Sequence, residues 1–237
     1  MVLATKERIV ADRTFSTERY ILQTHPVLYL PLWKKDHGMS GGKMLSSDGI
    51  GHVCTVIGAL QRRDGKYVEG TDDYVTTPVI DVSAGSGLTI MAWFKRVGAS
   101  GGTTDNYYHC ILGHINGAGG SNSIMVNSAG TELKMEVQLD NDSYASQTQV
   151  ISDATIFNLV GGIWDGSNLT PFVNDVLGTP KALAGTLKAG GALTTIGYWA
   201  VGYYFANGLI GEVLVYNRAF SLVGIQNISL ATKWRYK

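Results

Sequence analysis

The chain predicts an all-β protein, an antiparallel sandwich or barrel of more than ten short strands, and three observations carry that prediction. Thirty of its 237 residues are glycine, well above the roughly 7% of an average chain, which points to many tight turns. Charged residues make up 16%, against about 25% in a typical soluble domain, so much of the chain is free to face a core. From Pro26 onward, short runs rich in β-branched and aromatic residues are bounded by Gly, Asp or Pro, with turn signals about every eight to twelve residues. No repeat of roughly 20 to 50 residues recurs, which disfavours a propeller or solenoid.

The segment 1–25 stands apart. It mixes Lys6, Glu7, Arg8, Asp12, Arg13, Glu18 and Arg19 among its apolar residues, has no Gly or Pro, and follows neither the helical nor the strand period. It is expected to be an extended N-terminal arm outside a domain spanning 26–237. It also lacks the apolar centre of a secretory signal, so export by the ordinary route is not expected.

The first strand, Val27 to Trp33, contains Pro31, which must lie on an edge or at a bulge because it cannot donate to a ladder. HVCTVIG, KYVEG and DDYVTTPVI are short strands, and LTIMAWFKR is apolar enough to run through the centre of a sheet. In TELKMEVQLD, Leu133, Met135, Val137 and Leu139 alternate with Glu132, Lys134, Glu136, Gln138 and Asp140, so one face is expected to be wet and the other buried. FNLVGGIW and LTPFVN flank Asp165 and Gly166, a hairpin signal. ALTTIGYW and GEVLVYN complete the strands. Ser221 is placed to cap a short C-terminal helix carrying Leu222, Ile225 and Ile228.

Nineteen basic and nineteen acidic residues leave no formal net charge, which argues against nucleic acid or anionic membrane as partners and suits a protein packed against other subunits. No apolar run approaches the roughly 20 residues of a membrane span. Cys54 and Cys110 could pair, but two cysteines do not make a disulfide framework, and two free buried thiols are expected.

Four segments in order resemble the laminin G-like, concanavalin A-like jelly-roll family. They are SSDGIGHVCTVIGALQRRDGKYVEGTDDYV, GLTIMAWFKR, FNLVGGIWDGSNLTPFVNDVLG and FANGLIGEVLVYNRAFS, the last with Gly208, Ile210, Glu212, Val213, Tyr216, Asn217, Arg218, Ala219 and Ser221 in step. The chain departs from the pattern at Phe157 and Gly224, both expected to be packing positions. The resemblance implies an antiparallel jelly-roll sandwich in which Trp93, Trp164 and Tyr216 fill inner strand faces, and in which Asn217 and Arg218 close the domain. It also allows a calcium ion, with Asp48 and Glu212 at positions where ligands could fall.

The family includes glycoside hydrolases, whose chemistry needs two carboxyl groups about 5 Å apart for retention or roughly 6.5 to 9.5 Å for inversion. Alternate residues on a strand are about 6.6 Å apart and every fourth about 13 Å, so Glu132, Glu136 and Asp140 are spaced too widely. Asp72 and Asp73 point to opposite faces, and His109 and His114 do the same across their strand. No nucleophile elbow, metal motif or phosphate loop is present, and no enzyme activity is expected.

The most suggestive stretch is GYWAVGYYFANG, with Tyr198, Trp199, Tyr203, Tyr204 and Phe205. It is either a hairpin covering the sandwich edge, the weightier role, or a surface that anchors a protein partner or stacks on sugars. The expected function is a non-enzymatic structural or attachment subunit of a virion, phage capsid-decorating or tail-associated, assembled after cytoplasmic synthesis through its arm into a homo-oligomer or particle. The alternative is a carbohydrate-binding lectin or adhesin module, with a glycoside hydrolase a distant third.

Overall fold

The computed structural model describes residues 16–34, 42–99, 108–116, 120–188, 194–199 and 204–237, with backbone alone for 114–116, 120 and 121. In chain order, a helix α1 over 16–23 is followed by β1 (Leu28–Pro31), β2 (Lys43–Leu45), β3 (Val53–Ile57), β4 (Leu60–Arg62), β5 (Gly65–Glu69), β6 (Tyr74–Thr76) and β7 (Leu88–Arg96). Next come β8 (Tyr108–Asn116), β9 (Gly120–Asn127), β10 (Glu132–Gln138), β11 (Tyr144–Val150), β12 (Asn158–Trp164), β13 (Asn168–Val173), β14 (Val176–Leu177) and β15 (Lys181–Ala182). The chain closes with β16 (Thr194–Ile196), β17 (Tyr198–Trp199), β18 (Tyr204–Phe205), β19 (Asn207–Tyr216), the helix α2 (Leu222–Thr232) and a 3-10 turn (Lys233–Arg235).

All pairings are antiparallel. One sheet runs β14-β13-β12-β7-β19-β5-β4, with β1 added along β19 and β15 along β13; the other runs β11-β10-β9-β8-β16-β6-β3-β2. Between them lies the main core, to which alternate residues of each strand contribute, such as Ile90, Ala92 and Phe94 from β7 and Leu133, Met135 and Val137 from β10. Among the described residues, β1 pairs only with β19, so Pro31 sits on an edge strand, where its missing N–H is tolerated. The β12–β13 hairpin turns at Asp165 and Gly166: Asp165 Oδ1 accepts from the Ser167 and Asn168 N–H groups, and Gly166 takes φ 91°. Cys54 and Cys110 are buried and unpaired, and burial pushes the Cys54 thiol up to about 12.

A second core lies on the outside of the nine-stranded sheet. Tyr29, Met91, Trp93, Leu159, Leu214 and Tyr216 point away from the sandwich interior and pack against Ile21 of α1 and Ile225 and Ile228 of α2. Trp164 fills the main core as expected from the family pattern, but Trp93 and Tyr216 do not: they are buried under the helices instead. Ser221 caps α2 by accepting from the Gly224 N–H at 3.3 Å. Fully burying each isoleucine is worth about 1.5 to 3 kcal/mol, enough to hold two short helices that would not persist alone.

The described part of the expected arm is therefore a helix built into the domain rather than an extension outside it. Ile21 is buried, Thr17 Oγ1 donates to the Ala231 carbonyl at 3.0 Å and the Trp234 indole donates to Thr17 Oγ1 at 3.3 Å. Arg218 donates to the Thr24 carbonyl at 2.6 Å, so the basic residue after the last strand ties down the N-terminal helix. The arm's residues 1–15 lie outside the described residues. No helix among the described residues is long and apolar enough to cross a membrane.

Candidate functional site

The outer face of the eight-stranded sheet differs from the helix-covered one. Because side chains alternate along a strand, Met135 and Val137 facing the core put Lys134, Glu136 and Gln138 of β10 on the outside, with Ser123 and Met125 of β9, Tyr108, Cys110 and Gly113 of β8, and Tyr144 of β11 beside them. Chain geometry then brings the aromatic hairpin over this face. After β16 the chain bends at Gly197, whose φ of 86° suits glycine, and β17 and β18 pair Tyr198 with Phe205 and Trp199 with Tyr204.

Trp199 stacks on Tyr204 at 5.3 Å, and Tyr204 meets the edge of Tyr108 at 5.9 Å. Gly113 leaves just enough room beneath: a Cβ there would stand 3.2 Å from Trp199 Cδ1. On the other side of the hairpin, Tyr198 stacks on Phe205 at 4.5 Å and leans on Tyr74 at 5.1 Å. These rings are half-buried, whereas Tyr144 is 65% exposed. The hairpin thus covers the sheet and leaves ring surface to solvent. Tyr203 lies outside the described residues.

The polar centre of this face is an ion pair. Lys134 Nζ stands 2.6 Å from Glu136 Oε1 and 5.2 Å from the centroid of the Tyr108 ring, and Ser123 Oγ donates to Glu136 Oε2 at 3.5 Å. Burial pulls the Lys134 ammonium down, but the hydrogen bond and charge of Glu136 outweigh it and its pKa ends above the ordinary value. Gln138 Nε2 donates to Asp142, while Gln138 Oε1 and Trp199 Nε1 are buried with no hydrogen-bond partner among the described residues. The face expected to be wet is therefore largely covered, with Glu136 and Gln138 at 6% and 8% exposure. Glu136 is held between Lys134 and Ser123.

The two residues considered for calcium do not form a site together. Tyr29 separates them, its backbone N–H bonded to Asp48 Oδ2 at 3.2 Å and its hydroxyl donating to Glu212 Oε1 at 3.4 Å. Asp48 Oδ1 also accepts from the Ile50 and Gly51 N–H groups, so the carboxylate is spent on a turn. Glu212 sits at a bulge in β19, fully buried, where it pairs with Arg235 and accepts from Trp33 Nε1 at 2.8 Å. Burial raises its pKa against the lowering pull of Arg235, Trp33 and Tyr29. The acidic groups that do converge are Glu69, Asp72 and Asp73, whose ligand oxygens lie within 4.8 Å of one another beside Tyr74; Asp72 and Asp73 do not take the opposite faces expected of them, because 70–73 is a bend between β5 and β6 and not a strand. They are the described residues best placed to hold a cation, although Asp73 already accepts from the Glu69 N–H at 3.1 Å.

Two antiparallel sheets with one face sealed by helices and the other crossed by an aromatic hairpin define a lectin-like jelly-roll sandwich. The family follows directly: a model of the concanavalin A-like lectin/glucanases superfamily matches residues 69–226, and the chain belongs to that superfamily. No curated protein matches the chain in sequence. Among solved structures, it is similar to the botulinum neurotoxin serotype G binding domain, with TM-score 0.64 and 12% identity over 86% of this chain and 50% of that one. It is also similar to the receptor binding domain of the botulinum neurotoxin C/D mosaic serotype, with TM-score 0.67 and 11% identity over 88% of this chain and 52% of that one. A third is the serotype D ligand binding domain in complex with N-acetylneuraminic acid, with TM-score 0.66 and 10% identity over 88% and 51%. The chain spans about half the length of these proteins, and at such identities the likeness is one of fold.

Proposed function

We propose that this chain is a non-catalytic carbohydrate-binding module that recognises glycans on the outer face of its eight-stranded sheet. The observation that carries this is the grouping of Tyr108, Tyr144, Trp199 and Tyr204 around the Lys134–Glu136 pair. Aromatic rings stack on the apolar C–H face of a sugar, and a carboxylate beside an ammonium accepts from and donates to neighbouring hydroxyls. Membership of a lectin-containing superfamily supports the same reading. A glycan array probed with the intact protein should give specific hits, weakened about tenfold by Tyr144→Ala. An array without a hit would overturn the proposal.

The carrier of such a module is, in a finer reading, an attachment subunit of a virus or phage particle. Zero net charge favours it, together with the exposed Val223 and Leu230 on α2 and Leu22 on α1. The described helix 16–23 is spent inside the domain, so assembly through an arm would fall to residues 1–15. Sedimentation of the full chain should show an oligomer that becomes monomeric when 1–15 are removed; a monomeric full chain would contradict this.

A further inference from the structure

We propose, resting on the carbohydrate-binding reading above, that the glycans taken by this face end in uncharged hexopyranose units and that sialic and uronic acids are excluded. Charge decides the class. Lys134, whose Nζ lies 5.2 Å from the Tyr108 ring centroid, is already bound to Glu136 at 2.6 Å, with side-chain exposures of 22% and 8%. Lys188, beside the turn that precedes Tyr144, is bound to Asp142. Both of these lysines therefore hold a carboxylate already, while Lys181, at the outer edge of β11, donates to the Ser146 carbonyl at 3.2 Å.

A sugar carboxylate would meet lysines whose charge is already neutralised and would stand beside Glu136 or Asp142 as a like charge with no counter-ion of its own. Across the hairpin, Glu69, Asp72 and Asp73 add three carboxyl groups within 4.8 Å of one another beside Tyr74 and Tyr198, which repel an anion further.

Sugar hydroxyls meet none of these obstacles. A hydroxyl both donates and accepts, so adjacent hydroxyls of a pyranose can bridge Glu136 and Lys134 without separating them. The exposed Tyr144 ring supplies stacking surface at the margin.

The test is a glycan array of the intact protein, comparing glucose-, galactose-, mannose- and N-acetylhexosamine-terminated glycans with their sialylated and uronic-acid counterparts. Neutral glycans should bind at least tenfold more tightly. Glu136→Gln, which frees the Lys134 charge, should narrow or invert that ratio, and Tyr144→Ala should weaken neutral binding about tenfold without changing the ratio. The wild-type ratio decides by itself, so a Glu136→Gln variant that misfolds on a melting curve removes nothing. Equal or tighter binding of acidic glycans by the wild type overturns this inference while carbohydrate binding stands. Binding to no glycan overturns the reading beneath it as well.

Discussion

The two outer faces of the sandwich have opposite fates. The nine-stranded sheet turns Tyr29, Met91, Trp93, Leu214 and Tyr216 outward, and these meet Ile21, Ile225 and Ile228 of the terminal helices to make a second core. The eight-stranded sheet turns outward a lysine, a glutamate, a glutamine and tyrosines, over which a hairpin with two-residue strands is folded. The same pleat and the same fold yield one face that is sealed by helices and another that a hairpin covers in large part, leaving the exposed Tyr144, the partly exposed Lys134 and half-buried ring surface to solvent. Apolar side chains on an outer strand face demand a cover. Paired charges among half-exposed rings do not, and can be reserved for a ligand.

The largest effect that would test this contrast lies on the sealed side. Arg235 is stacked over Trp33 at 4.4 Å while its guanidinium pairs with the fully buried Glu212. Arg235→Ala strands that carboxylate, and denaturant unfolding should show a loss of about 3 to 5 kcal/mol with the terminal helices released. Replacing both residues by apolar ones of similar volume should restore most of it. If Arg235→Ala costs less than 1 kcal/mol, the clamp does not hold the sealed face.

Next in size is an acid dependence that arises beneath the open face. His109 of β8 points inward against Phe94, and its Nδ1 accepts from the Asn207 N–H at 3.0 Å. Burial, aided by the charge of Arg96, lowers its pKa from 6.5 to about 4. The unfolded chain therefore binds a proton that the folded chain refuses, and stability contributed by the neutral ring is full above about pH 6.5 and lost as pH falls towards 4. The loss from this group is about 3 kcal/mol, and His109→Gln should flatten that part of the profile. A profile unchanged by the substitution would contradict the burial argument.

Smaller effects sharpen the open side. Tyr144→Ala should leave stability within about 0.5 kcal/mol, as for an exposed residue, while weakening glycan binding about tenfold. Alkylation of Cys54 and Cys110 in the native protein should be slow at both sites, since both thiols are buried with raised pKa values. Cys110 lies beneath the hairpin, its Sγ 3.3 Å from where a Cβ on Gly113 would stand, so a bound glycan should slow its labelling further and leave that of Cys54 unchanged.

Much of the fold was legible because its signals are local. The Asp165–Gly166 turn and the Ser221 cap each lie within a few residues and took the expected form, and the alternation in β10 put Leu133, Met135 and Val137 in the core. The binding face was legible only in part. Trp199 and Tyr204 stood out as neighbours in sequence, but Tyr108, Lys134, Glu136 and Tyr144 come from three other strands, and sheet order is what brings them together. Alternation says which side a residue takes and not whether that side is covered, which is why Glu136 and Gln138 were expected to be wet. Helix 16–23 was missed for a related reason: its apolar contact, Ile21, packs on Trp93 and Tyr216, residues that no local pattern links to it. Glu212 was matched to a ligand position by motif alone, and its buried partner lies 23 residues away in the C-terminal turn.

The most direct measurement is a titration of the isotope-labelled protein with a neutral glycan bound on the array, following backbone amides and the five tryptophan indole N–H signals. Shifts should concentrate on Lys134, Glu136, Gln138, Tyr144 and the indole of Trp199, while the Trp93 indole, bonded to Thr232 under the helices, stays in place. Shifts centred on the terminal helices, with the Trp199 indole unmoved, would contradict the assignment of the open face as the binding surface.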